Sequence, residues 1–339
     1  MKICLSVLCF IYLFCSDVNA QQPGCPDPLA VNFDSSATIN DGSCTYKNIS
    51  VNAKRKYQMN DLLKETSGLI WWKQKIWTHN DSGGEAALYA MKDSSNNIIK
   101  KVTITNAENV DWEDITQDAK YIYIGDFGNN GRNNRTDLKI YKVAKADIQK
   151  SNIVKAAIIN FSYSDQTQTE LNEGRFNNFD CEAMIAYGDS LFLFSKDWQD
   201  NKTRLYKLPK KPGIYTAVKM GELNVRGLIT GAEIVTDKKL IVLTGYNTLV
   251  NPFLYLLYDF KGNNFFEGNK RKVLLNEPFT QMEGICAKDA TTFYVSNEKF
   301  EHAFITTNAQ LKKVDLSSLL NPYYNSIENK KSKQHHINK

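Results

Sequence analysis

"ISVNAKRKY", residues 49–57, reads as a β-strand that comes ahead of five similar segments and has no counterpart among the strands next to it in sequence. The segments that follow are "ETSGLIWWKQKIWTHNDSGGEAALYAMK", "EDITQDAKYIYIGDFGNNGRNNRTDLKIYKV", "EAMIAYGDSLFLFSKDWQDNKTRLYKL", "EIVTDKKLIVLTGYNTLVNPFLYLLYDF" and "EGICAKDATTFYVSNEKFEHAFITTNAQLKKVDL". Each opens on a glutamate and a strand of small or apolar residues. A tight turn such as Gly188-Asp189 or Asp237-Lys238 leads into an apolar strand, then a polar loop, then a third strand. The leading residues Glu65, Glu113, Glu182, Glu233 and Glu283 recur at intervals of 48, 69, 51 and 50. Such a period suits one four-stranded unit per repeat.

A fourth strand fits between repeats: "IIKKVTITN", "AAIINFSYS", "AVKMGELN" and "KRKVLLN". The last repeat lacks one after Leu316, and "ISVNAKRKY" supplies it from the other end of the chain. A circular array that borrows its closing strand in this way leaves no free sheet edge. The sequence therefore predicts an all-β fold, a single β-propeller over residues 47–320 closed by strand 49–57 in the last blade. Five blades fit the repeats. Six is the alternative if the insertion near residues 144–178 hides another.

Within the first repeat, "WTHNDSGG" (77–84) looks like the surroundings of a nucleophilic serine. A serine triad needs a histidine and an aspartate from elsewhere in the chain. The internal histidines are His79, three residues before Ser82, and His302. Ser82 also falls in the loop after the second strand, where Gly83-Gly84 suits a turn. "GDSL" at 188–191 is likewise a turn entering a strand, and a serine protease is excluded.

Residues 1–20 carry Lys2, a short apolar run and Val18-Asn19-Ala20, the pattern of a signal peptide. The mature chain is expected to be exported, to the periplasm, cell surface or medium, with no transmembrane segment. Cys25 and Cys44 are the expected disulfide in that oxidising setting, within a small Asp/Gly-rich module at 21–46. Cys181 and Cys286 are left either free or paired. The net charge of +5 is modest and much of it lies in the tail 321–339, read as disordered and basic, which argues against a nucleic-acid partner. A monomer is expected, with an unknown small molecule or cell-surface protein as partner.

First strands line the channel of a propeller, so Glu65, Glu113, Glu182, Glu233 and Glu283 are expected to converge there. Close carboxylates disfavour one another's charge, and a hard cation relieves them. Ca²⁺ accepts six to eight oxygens in flexible geometry, and the absence of a histidine cluster argues against zinc. Asp111 and Asp180 ("VDWED", "FDCEA") stand two residues before glutamates and are candidates to add ligands or brace them. The alternative is that these glutamates bind backbone N–H groups or pair with Lys and Arg. A second acidic set, Asp81, Asp126, Asp197 and Glu298, follows the second strands and is assigned to ligand-binding loops.

"GCPDPLAVNFDSSATINDGSCTY" (24–46) resembles the short G-C-x-D-P-x-A-x-N modules of secreted Bacteroidota-type proteins. In it Asp27 and Asp41 are either turn formers or Ca²⁺ ligands, the former preferred. "ETSGLIWWKQKIWTHNDSGG", "VDWEDI" and "IYIGDFGNNGRNNRTDLKIYKV" look like secreted propellers of the same bacteria, which have no assigned activity. More distantly, Glu65 to Leu69 and Met282 to Ile285 are similar to the acidic strands of calcium-dependent apyrases and lactonase-like propellers. The resemblance implies a channel Ca²⁺. No phosphate-binding basic set can be placed; Arg132, Arg135 and Arg204 come nearest. The function expected is an exported scaffold that binds a ligand or partner; the alternative is a Ca²⁺-dependent hydrolase of phosphoesters, nucleotides or lactones.

Overall fold

The computed structural model describes residues 21–129, 135–168, 177–302 and 305–337. The expected signal segment lies outside these residues. Antiparallel meanders succeed one another along the chain. Thr66–Trp72, Lys75–Asn80, Ala87–Met91 and Ile98–Ile104 form the first. Trp112–Gln117, Tyr121–Asp126, Lys139–Ala144 and Ala157–Tyr163 form the next. Cys181–Tyr187, Ser190–Ser195, Thr203–Pro209 and Gly213–Leu223 follow. Then come Leu228–Val235, Leu240–Tyr246, Pro252–Tyr258 and Asn269–Leu275.

The final meander has Met282–Ala287, Thr292–Asn297 and Gln310–Asp315, and its outer strand is Lys54–Gln58 from the start of the domain. Closure by the N-terminal strand is thus present, with one refinement. The stretch 49–57 divides between two sheets, because Ser50–Val51 pairs in parallel with Leu274 and Leu275 of the preceding meander. The chain therefore ties the last two sheets together before it enters the first.

Apolar alternation explains why the sheets stack. Each buries one face against the next, giving separate cores between consecutive sheets, such as Ile70, Trp77 and Leu88 against Ile122, Tyr141 and Val143. The last of these packs Leu311, Cys286 and Tyr294 against Leu69, Ile76 and Tyr89, joining the final sheet to the first. The leading strand of every meander lies beside the leading strands of its two neighbours, the last beside the first. This closed ring of inner strands makes the fold a β-propeller. Ile153–Val154 adds to the outer strand of the first meander, and Gly213–Leu223 pairs in parallel with Ala157–Tyr163 across two meanders.

The N-terminal module is stapled by the Cys25–Cys44 disulfide. Asp27, buried, accepts hydrogen bonds from Leu29 N at 2.9 Å, Tyr46 Oη at 2.7 Å and Tyr258 Oη at 2.8 Å. Its carboxylate therefore closes a turn and docks the module onto the propeller. Asp41 accepts from Ser43 N at 2.9 Å, a turn contact. Cys181 and Cys286 are buried and free. The tail differs from expectation. A helix spans Ser317–Ile337, and Leu319, Leu320, Tyr323 and Tyr324 bury against the core between the last two meanders. Charged composition after Asn329 obscured that apolar start. No helix among the described residues is long and apolar enough to cross a membrane.

Candidate metal centre

Every inner strand carries a one-residue bulge near its start, where two of its residues face one on the second strand. Glu113, Glu182 and Glu283 occupy that bulge in three strands. In the other two the equivalent residues are Ser67 and Thr230. These hydroxyls stitch neighbouring inner strands: Ser67 Oγ donates to Glu113 O, and Thr230 Oγ1 donates to Met282 O at 2.5 Å. Glycine follows the bulge at Gly68, Gly231 and Gly284, where a Cβ would strike backbone of the adjoining inner strand. The bulge therefore needs close approach between neighbouring inner strands at these three positions.

The expected ring of five glutamates is corrected accordingly. Glu65 stands two residues before its bulge, exposed beside Lys64. Glu233 stands three residues beyond Thr230, where its carboxylate accepts from Ile234 N at 2.8 Å and Ala287 N at 3.1 Å. Burial pushes its pKa up to about 7. It binds the next inner strand and is committed to backbone, as the backbone-bound alternative for these glutamates expects. Glu113, Glu182 and Glu283 do come together at the mouth, joined by Asp81, Asp111, Asp180 and Glu298.

Two carboxylate groups have ligand atoms within 4.8 Å of one another: Glu113, Asp180 and Glu182, all buried, and Asp81, Asp111 and Glu113, of which the aspartates are half-buried. Glu113 belongs to both. It is 2% exposed, and among the described residues its Oε1 has no hydrogen-bond partner. Gly128 closes over the same place, since a Cβ there would collide with Glu113 Oε1 and Asp111 Oδ2.

Bracing residues hold these carboxylates. Asp180 accepts from Asn129 N and Trp198 Nε1, each at 2.8 Å. Asn109 donates to Asp81 O at 2.6 Å and accepts from Trp112 N at 3.1 Å, joining the Asp81 loop to the strand of Glu113. Lys196 donates to Glu182 Oε1 at 2.9 Å, a buried ion pair. Burial pulls the Lys196 ammonium down, but Glu182, Tyr246, Glu283 and Asp180 outweigh it and hold its pKa well above the usual value.

One lysine does not neutralise this cluster. Burial, then repulsion from Glu182 and Asp81, drives the Glu113 carboxyl well above its ordinary pKa. Burial and Glu182 raise Asp180 to about 8, and burial and Asp180 raise Asp111 to about 6. Burial and Asp111 lift Asp81 well above the usual range. Without added positive charge the group holds protons; with a cation it can release them.

The second acidic set divides. Asp81 and Glu298 belong to the mouth. Asp126 and Asp197 do not serve a ligand face: Asp126 pairs with Arg135 at 2.9 Å and Asp197 with Arg204 at 3.0 Å, both aspartates fully buried. Asp126 also accepts from Asp111 N at 3.1 Å, so it braces a mouth residue. Arg132 lies outside the described residues. Lys196 and Asn109 were not singled out in the sequence, where "SKDW" and "AENV" look like ordinary loop polarity. The oxygen-only donor set can hold a metal ion, and carboxylates without histidine favour a hard one.

No family profile matches the chain, and no curated protein matches it in sequence. Solved structures show distant similarity. The PQQ-bound form of an aldose sugar dehydrogenase from Streptomyces coelicolor is 10% identical, with a TM-score of 0.47, covering 78% of this chain and 98% of that one. An α-L-arabinofuranosidase from Podospora anserina in complex with cellotriose is 9% identical, with a TM-score of 0.45 and coverage of 79% and 96%. A protein of unknown function from Dyadobacter fermentans is 9% identical, with a TM-score of 0.42 and coverage of 74% and 76%.

Proposed function

We propose that this chain is an exported, five-bladed propeller that binds Ca²⁺ at its channel mouth and serves as a scaffold for a ligand or partner. Glu113, Asp180 and Glu182 are the ligands of that ion, with Lys196 balancing part of the remaining charge. The observation that carries the reading is the buried Glu113, whose Oε1 has no partner among the described residues and whose carboxylate lies within ligand distance of Asp180 and Glu182. A buried carboxylate oxygen with no donor costs stability unless a proton or cation joins it. Ca²⁺ suits an irregular set of oxygens better than Mg²⁺, which requires a strict octahedron. Export accords with the Cys25–Cys44 disulfide.

The scaffold reading is favoured over a phosphoester or nucleotide hydrolase because cations near the mouth are already engaged. Arg135 pairs with Asp126 and Asp137, Arg204 with Asp197 and Asp200, and Lys196 with Glu182. A hydrolase would need such groups turned towards its substrate. Elemental analysis after gel filtration in Ca²⁺- and Mg²⁺-containing buffer tests the proposal. Bound calcium in the wild type, and its loss in Glu113→Gln, is the expected result. A wild-type chain that emerges without calcium contradicts it.

A further inference from the structure

The two carboxylate groups at the mouth share one residue and differ in their access to solvent. Glu113, Asp180 and Glu182 are sealed in, whereas Asp81 and Asp111 are half-buried on loops at the rim. Both groups reach Glu113, whose free Oε1 lies where Asp111 Oδ2 also crowds against Gly128. A single divalent ion near Asp180 and Glu182 leaves the close carboxylates of Asp81 and Asp111 without a cation of their own. Carboxylates that bridge two ions are common chemistry for hard cations, because each oxygen serves a separate metal.

The loops are also built to hold the outer group. Asn109 fixes the Asp81 carbonyl and its own O accepts from Trp112 N, one residue from Glu113. Asp126, locked by Arg135, accepts from Asp111 N. These contacts preset the rim without using the side-chain oxygens of Asp111 or Glu113 in the outer group.

We propose that the mouth takes two Ca²⁺ ions bridged by Glu113: an inner one held by Asp180 and Glu182, and an outer one held by Asp81 and Asp111. This rests on the cation reading above and extends it. The inner ion is structural and enclosed. The outer ion has three carboxylates for a preferred six to eight oxygens, so water or ligand oxygens complete it. It is the ion that a ligand touches. Lys196 and both ions together still leave the surrounding carboxylates in excess, so neutral donors such as hydroxyl or amide oxygens suit that position better than an anion.

Calorimetric titration of the full mature chain with Ca²⁺ reads the stoichiometry directly. Two ions per wild-type chain and one per D81N/D111N chain are expected. One ion per wild-type chain overturns the second site and leaves the first reading standing; none overturns both. Terbium luminescence lifetimes in H₂O and D₂O then count bound water. The average ion in the wild type should hold more water than the ion left in D81N/D111N. Equal hydration in the two proteins overturns the assignment of an open outer and a closed inner ion.

Discussion

Two levels of the same inner strands carry carboxylates, and they behave in opposite ways. At the mouth, Glu113 keeps an oxygen without a partner among the described residues. One residue further along that strand, Asp114 accepts from Ile115 N at 2.8 Å and from Met184 N of the neighbouring strand at 2.7 Å. Glu233 does the same lower in another strand, bridging to Ala287 N. Burial drives both Asp114 and Glu113 well above the normal carboxyl pKa. What separates Asp114 and Glu233 from Glu113 is therefore the supply of backbone donors. The bulge removes those donors at the mouth, since its extra residue falls outside the ladder.

The comparison breaks most sharply by removing one carboxylate from each level. Asp114→Ala leaves two buried N–H groups unpaired, and should cost about 2–4 kcal/mol in urea unfolding, equally with and without Ca²⁺. A loss that depends on Ca²⁺ would erase the distinction between the levels. Chelation is the next largest effect. With Ca²⁺ near 100 times its Kd, removal of the ion costs roughly 2.7 kcal/mol. Glu113→Gln should change sign with conditions. It relieves repulsion in metal-free protein, a gain of about 1–2 kcal/mol, and abolishes the response to Ca²⁺.

Proton release sharpens the same contrast. Asp111 and Asp180 have folded-state pKa values raised to about 6 and about 8. Their neutral forms favour the fold, so the stability they contribute is complete below the usual carboxylate pKa of about 4. It declines as pH rises through 6 and then 8. Metal-free protein should melt progressively lower across that window, while the Ca²⁺-loaded protein should not. Smallest of all in its effect on the ion, Asn109→Ala should weaken Ca²⁺ binding about tenfold by loosening the Asp81 loop, measured by titration.

The strands were legible because alternation and turn residues act over a few positions. Gly188-Asp189 and the apolar run after it specify a hairpin locally, and "ISVNAKRKY" is revealed by the strand missing after Leu316. The site was only partly legible, because a bulge shifts register by one residue and leaves no mark in composition. Glu65 and Glu233 stand at plausible intervals, yet Ser67 and Thr230 hold the bulges. Asp126 and Asp197 resembled loop residues because an ion pair to Arg135 or Arg204 depends on how the loop folds back. The tail misled for a related reason: its lysines outnumber the few residues that matter, Leu319, Leu320, Tyr323 and Tyr324.

The most direct test of the central claim, that mouth carboxylates share a divalent cation, is the melting temperature of the protein in EDTA and after Ca²⁺ is restored. A fall of roughly 4–5 °C on chelation, reversed by Ca²⁺ and absent in Glu113→Gln, is the predicted outcome. Identical melting curves in EDTA and Ca²⁺ would contradict the account.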